Sequence, residues 1–357
     1  MQRKYNFYAG PAILPLEVMK KAQDELLDFN GTGLSIMEIS HRSKDFGQVI
    51  DNAVARAKIL LNIPDHYSIL FLQGGATLQF GMIPMNLLRG GRADYINTGA
   101  WATKAIKEAR LFGDVHVAAS SEDKNFSYIP RDPDLSSDAR YVHLTSNETI
   151  GGIQYRDFPD TGNVPLVADM SSDIFSRQLD VSQFGLIYCG AQKNMGPAGV
   201  TMVIIRDDLM QSTRDDTTTM VNYRKLAAKN SMLNTPPCFA IYIVGLVLEW
   251  LEAQGGVAAM EERNEQKAAM IYDLIDASEF YRGTADPRDR SRMNVTFRLP
   301  SEELEQKFIQ ESTRAGLIGL KGHRSVGGCR ASIYNAMPRE GVKTLVGFMK
   351  EFQDQNQ

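Results

Sequence analysis

Two apolar runs, Leu186–Cys189 and Val200–Ile205, lie close together in the chain and enclose three glycines, a proline and a single cation, Lys193. Continuous apolar runs of this length read as strands buried on both faces. Lys193 is therefore expected near the interior of a sheet. A buried ammonium is costly to desolvate, so a lysine held there tends to lose its proton and become a nucleophile. That is the state needed for a Schiff base with an aldehyde. Taken alone, the segment fits an exposed hairpin turn equally well, with the lysine reaching out to water.

Strand-like patterns at 68–72, 93–96, 115–118, 141–144 and 164–168 alternate with helical patterns at 45–61, 78–88 and 101–111. Leu16 to Phe29 also has helical spacing and stops at Asn30-Gly31, a good C-terminal signal. Alternation of this kind predicts a mostly parallel sheet covered by helices. Beyond Ser231 the pattern changes to two helices (238–253 and 257–276), a strand (293–298), a helix (301–313), a strand (329–334) and a final helix (340–352). The expected fold is α/β: a large domain with a mostly parallel sheet flanked by helices, plus a smaller C-terminal α/β domain. The expected division is an N-terminal arm over 1–15, a large domain over 16–254 and a small domain over 255–357. A chain of 357 residues is long enough for two cores.

A net charge of −4 gives no electrostatic case for nucleic acid or an anionic membrane. The longest apolar stretch, Phe239 to Leu251, is too short for a bilayer and contains Glu249. The N-terminus has no signal-like apolar core. Three cysteines (Cys189, Cys238, Cys329) in apolar contexts argue against a disulfide framework and lack metal-site spacing. No metal, nucleic-acid or membrane partner is expected, and the expected location is the cytoplasm.

Several residues fit one chemistry. Gln73-Gly-Gly-Ala-Thr-Leu-Gln79 links a strand to a helix, where free amides suit a phosphate; it has neither the Walker nor the dinucleotide spacing, and a plain turn explains it as well. Asp169 closes the run 164–168, at the strand end that faces the ligand crevice of an open α/β sheet. A carboxylate there can keep a pyridinium nitrogen protonated; a helix cap is the alternative. Trp101 begins a helix at the same kind of edge, suited to stacking on a ring or to core packing. Thr149, just past another strand, offers a hydroxyl to a ring substituent or closes a turn. His41-Arg42 and His323-Arg324 each pair a bidentate donor with a titratable one, suited to a carboxylate or phosphate. Arg330, in an otherwise apolar strand, needs an anionic partner, either an internal acid or a substrate carboxylate.

Taken together, these segments resemble the phosphoserine aminotransferases, class V members of the fold type I pyridoxal-phosphate enzymes. The resemblance runs from Asn6-Phe-Tyr-Ala-Gly-Pro-Ala to the last helix. It is strongest in Ile39-Ser-His-Arg-Ser, Ser146-Asn-Glu-Thr-Ile-Gly-Gly, Ala168-Asp-Met-Ser-Ser and Tyr188-Cys-Gly-Ala-Gln-Lys-Asn-Met-Gly-Pro-Ala-Gly. Asn234-Thr-Pro-Pro and Gly322-His-Arg-Ser-Val-Gly-Gly-Cys-Arg carry it into the C-terminal part.

The resemblance implies a cofactor, pyridoxal 5′-phosphate, joined to Lys193 as a Schiff base. It implies that Asp169 pairs with the pyridine nitrogen, Trp101 stacks on the ring and Thr149 bonds its hydroxyl side. Ala76, Thr77 and Gln192 would contact the phosphate, joined by Asn234 and Thr235 from the second subunit of a homodimer. Arg330 would anchor the substrate α-carboxylate, while His41, Arg42, His323 and Arg324 bind the distal anion. The implied reaction converts 3-phosphohydroxypyruvate and L-glutamate to O-phospho-L-serine and 2-oxoglutarate in serine biosynthesis. Some members of the family carry an arginine where this chain has Thr77, which bears on the phosphate contact and not on the reaction.

A cysteine desulfurase would need a reactive cysteine on a mobile loop, and Cys329 lies in an apolar strand. A non-catalytic binder of a phosphorylated metabolite has no need of both Lys193 and Asp169. A nicotinamide oxidoreductase is disfavoured by the missing glycine fingerprint.

Overall fold

The computed structural model describes residues 3–213 and 215–357. Strands in chain order are β1 (Tyr5–Asn6), β2 (Tyr67–Leu72), β3 (Arg92–Asn97), β4 (Asp114–Ser120), β5 (Val142–Thr145), β6 (Asn147–Glu148), β7 (Ile153–Gln154), β8 (Leu166–Asp169), β9 (Phe184–Gly190), β10 (Thr201–Arg206), β11 (Arg282–Gly283), β12 (Asn294–Arg298), β13 (Leu317–Ile318) and β14 (Cys329–Ser332). The helices are α1 (Leu16–Asp24), α2 (Lys44–Leu61), α3 (Gly75–Leu87), α4 (Ala100–Ala109), α5 (Asp207–Gln211), α6 (Tyr223–Ala227), α7 (Cys238–Ala253), α8 (Gly256–Asp276), α9 (Glu302–Arg314) and α10 (Arg339–Asn356).

The large sheet has the order β2-β10-β9-β8-β5-β3-β4. All its pairings are parallel except those of β10, which runs antiparallel to both neighbours. The cause is chain length: the segment between Gly190 and Thr201 is too short for a covered crossover, so β10 folds straight back on β9. Side chains alternate between the two faces. Ile187 and Cys189 join one apolar layer with α2 and α7, whereas Leu186 and Tyr188 join the other with α3 and α4.

The three-stranded sheet β11-β12-β14 has its own core with α8, α9 and α10. The arm belongs to that core: β1 pairs in parallel with β13, and Phe7 and Ile13 are buried among its residues. α8 serves both regions, placing Val257 and Met260 in the large core and Ile271 and Ile275 in the small one.

One helix is shorter than its periodicity suggests. The run Leu16–Phe29 stops being α-helical at Asp24, and Phe29 is buried by a separate 3-10 turn, with Asn30 left-handed at φ 50°. Asp28 provides a local competitor, its carboxylate accepting from the Gly33 amide at 2.8 Å. Among the described residues no single helix is long and apolar enough to cross a membrane.

Candidate active site

β2, β3, β5, β8 and β9 all point their carboxyl ends to the same edge of the large sheet. That edge is where an open α/β sheet leaves its crevice. It carries the turn before α3, the start of α4 with Trp101, Thr149, Asp169 and the turn holding Lys193.

Lys193 follows β9, and its Nζ sits 4.9 Å from the centroid of the Trp101 indole. Its amine makes no hydrogen bond or ion pair with any described residue, although its stem is packed under Gly10 of the arm. Burial lowers its proton affinity below that of an ordinary lysine. The nearby carboxylates of Asp169 and Glu148 partly offset this, and Arg330 adds to it. The expected nucleophilic lysine is thus a half-buried side chain whose amine has a lowered proton affinity.

Asp169 is 5% exposed, and one of its oxygens, Oδ1, accepts from Ser171 N at 2.9 Å and Ser171 Oγ at 2.6 Å. Ser171 Oγ in turn accepts from the Gly190 amide at the end of β9. Among the described residues Oδ2 has no hydrogen-bond partner. Trp101 is fixed at two points, its indole Nε1 donating to Thr149 Oγ1 at 3.1 Å and its amide to Glu148 Oε1 at 3.1 Å. Arg330, on β14, crosses from the small sheet and donates through Nη1 to the Thr149 carbonyl at 3.0 Å. Its buried Nε is unpaired.

The phosphate side is built from backbone. Gly74, at φ 89°, takes a left-handed conformation that favours glycine, and α3 starts with no side-chain cap. The amides of Gly75, Ala76 and Thr77 are thus at a helix N-terminus free to bind an anion. Gln192 adjoins Lys193, with its carbonyl accepting from Ala12 of the arm at 2.8 Å.

The other expected residues lie further out. His323 is half-buried, and its imidazole is held below its ordinary proton affinity by burial, then by Arg330, Arg324 and Lys104. Together with Arg330 it lines a cavity of about 520 Å³. Arg324 is exposed. His41 is buried with an unpaired Nε2, and Arg42 is exposed. Among the described residues no hydrogen bond or ion pair joins either to Lys193, Asp169, Trp101 or Arg330. The Thr235 carbonyl accepts from Gln73 Nε2 at 3.1 Å, next to Asn234, so both residues stand near the loop that opens α3.

Sequence reasoning missed Glu148, Ser171 and Asn194. Glu148 is the clearest omission: it is 1% exposed and accepts from both the Trp101 and Ala102 amides. A signal was present. α4 begins after Gly99, which has no side chain to cap it, so a distant acceptor was implied.

Among the described residues, an unpaired carboxylate oxygen, a lysine amine free of ion pairs, an indole face, an uncapped helix start and an arginine reaching across from the small sheet form a coherent donor set. They fit a phosphorylated pyridine aldehyde and a substrate carboxylate. A family model described as aminotransferase class V matches residues 4–345. Phosphoserine aminotransferase of Desulfosudis oleivorans is 60% identical over 99% of both chains, and that of Geobacillus kaustophilus is 58% identical over the same shares. The chain belongs to the phosphoserine aminotransferase family. The solved structure of the family member from Bacillus circulans subsp. alkalophilus superposes with a TM-score of 0.98 at 54% identity, covering all of both chains. The member from Trichomonas vaginalis, solved with pyridoxal phosphate bound, gives 0.93 at 39%, with 98% of this chain and all of that one covered.

Proposed function

We propose that this enzyme transfers the amino group of L-glutamate to 3-phosphohydroxypyruvate, giving 2-oxoglutarate and O-phospho-L-serine. The observation that carries this reading is the meeting of Lys193, Asp169, Trp101 and Arg330 at one sheet edge, in a chain so close to its named relatives. Pyridoxal phosphate, when bound, supplies an aldehyde for the lysine amine and an electron-accepting ring.

The chain's own residues do the rest. Lys193 Nζ, free of ion pairs, takes and returns the proton at the substrate α-carbon. Asp169, kept in place by Ser171, would hold a proton on the pyridine nitrogen of the bound cofactor. Trp101 covers one face of the site and excludes water from it, and Thr149 keeps the indole at its angle. The amides of Ala76 and Thr77, with Gln192, hold the phosphate. Arg330 orients the α-carboxylate by its planar fork.

His41, Arg42, Asn234 and Thr235 are proposed to complete the site of a second copy, which makes the working unit a homodimer. Arginine and histidine donors near the site serve the two distal anions, carboxylate and phosphate, that one pocket must accept in turn.

Lys193→Ala is expected to abolish the borohydride-reducible cofactor adduct and nearly all transamination; normal activity in that variant would overturn the assignment. Glutamate and phosphoserine should each shift the absorption spectrum of the loaded enzyme, and alanine or aspartate only weakly.

A further inference from the structure

Glu148 lies at the centre of the site, yet the reaction as derived gives it no task. Its carboxylate reaches across from β6 to α4, taking the Ala102 amide at 2.9 Å and the Trp101 amide at 3.1 Å. The neighbouring residue, Thr149, takes the indole Nε1. Two consecutive residues thus hold Trp101 by its main chain and its side chain. The fold makes room for this carboxylate: a Cβ on Gly99 would stand 2.4 Å from Glu148 Cδ.

A helix cap supplied from so far along the chain needs no charge, since serine or asparagine performs that task locally. Burying a carboxylate is costly unless a cation or several donors compensate it. The charges facing Glu148 are Lys193 on the turn after β9 and Asp169 on β8. Tyr155, after β7, is a neutral neighbour. Lys193 also faces Arg330 on β14 and Asp173 beyond β8, and Lys104 of α4 lies over the Trp101 ring.

We propose that Glu148 is a positioning residue with two effects: it fixes the helix turn that presents the Trp101 indole to Lys193, and it sets a carboxylate on the Trp101 side of the lysine nitrogen. The inference rests on Lys193 being the cofactor-bearing lysine. Burial lowers the proton affinity of Lys193 and raises that of Glu148, to about 7, while each charge favours the other's ionised form.

Two variants of the full-length enzyme loaded with pyridoxal phosphate separate the effects. Glu148→Gln keeps an acceptor for the amides and loses the charge; Glu148→Asp keeps the charge and draws it back from the amides. The readouts are the pH midpoint of the visible absorption band and the near-ultraviolet circular dichroism of tryptophan. Only two tryptophans are present, so Trp101→Phe provides the control. Glu148→Gln is expected to lower the midpoint by about half a unit or more with the tryptophan signal intact. Glu148→Asp should alter the tryptophan signal and leave the midpoint in place. Identical behaviour of the two variants, or a parental midpoint in Glu148→Gln, would overturn the proposal. Borohydride trapping of the parent enzyme on a lysine other than Lys193 would overturn the underlying reading instead, so the two failures are distinguishable.

Discussion

The main-chain amide of Asn335 donates to Asn194 Oδ1 at 2.9 Å, which ties the segment after β14 to the turn that carries Lys193. The bond belongs to a buried chain of asparagines. Asn335 Nδ2 donates to the Phe175 carbonyl at 2.8 Å, and Asn264 Nδ2 on α8 donates to Asn335 Oδ1 at 2.8 Å and to the Ser176 carbonyl at 3.0 Å. One turn further along α8, Lys267 Nζ donates to the carbonyls of Ile333, Tyr334 and Met337. Tyr334 Oη reaches the Ala9 carbonyl of the arm at 2.7 Å. This polar seam is one link between the turn that carries Lys193 and the strand that carries Arg330; the bonds of Asn147 Nδ2 to Asn294 Oδ1 and of Thr296 Oγ1 to the Gly151 carbonyl are others, since the large and small sheets share no strand pairing.

Asn264→Ala tests the seam. It removes the donor serving Asn335 Oδ1 and the Ser176 carbonyl, at an expected cost of about 1–3 kcal/mol for buried groups left unpaired. Thermal denaturation should show the loss. Glutamate KM should rise more than kcat falls, because Arg330 is displaced relative to Lys193. A lower Tm with an unchanged KM would show that the seam only holds the fold together.

The sequence made the local features legible and left the long-range ones hidden. The strands of the large sheet and the ends of α7 lie close to their expected places, because period-2 and period-3.6 patterns are local. The antiparallel course of β10 has no signature in periodicity and follows instead from the short connection to β9. Lys193, Asp169, Trp101, Thr149 and Arg330 meet where strand ends place them. Glu148 capping a helix 46 residues earlier, and Asn194 receiving an amide from 141 residues later, leave no periodic trace.

Trp101→Phe should weaken cofactor binding without abolishing it. Phenylalanine keeps an aromatic face for the site but loses the Nε1 donor to Thr149 Oγ1. A hydrogen bond of this kind contributes about 1 kcal/mol, equal to roughly a fivefold rise in the pyridoxal phosphate dissociation constant. Absorbance titration of the cofactor-free variant measures it. Trp101→Ala should lose far more, since it removes the stacking face as well.

His143 predicts a pH dependence of stability. It lies in β5, stacked on Tyr95 with its Nε2 2.9 Å from Tyr188 Oη, and burial lowers its pKa to about 3 from the ordinary 6.5. The unfolded chain therefore binds more protons between those values. The contribution is complete above pH 6.5 and is lost as pH falls toward 3, by at most about 1.4 kcal/mol per pH unit. Glu148, raised to about 7 from 4.5, acts with the opposite sign, so only the difference between parent and variant is diagnostic. Denaturant unfolding at pH 7.5 and pH 5 should show a smaller loss in His143→Gln than in the parent.

Gly99→Ala should damage the site through space, not backbone strain. Gly99 has φ 163°, extended geometry open to any residue. Its added Cβ would meet Glu148 at 2.4 Å from Cδ, 2.7 Å from Oε2 and 2.8 Å from Cγ. The carboxylate must retreat from the Trp101 and Ala102 amides, leaving the start of α4 uncapped in a buried setting. Overpacking of this kind costs about 1–3 kcal/mol, and the turn that holds Trp101 shifts with it. Cofactor affinity and Tm should fall together. Gly47→Ala in α2 is the control: nothing lies within 4 Å of its Cβ, and replacing a helical glycine should stabilise by about 0.5–1 kcal/mol. If Gly99→Ala behaves like Gly47→Ala, the contact between Gly99 and Glu148 has no energetic weight, and α4 takes its capping from elsewhere.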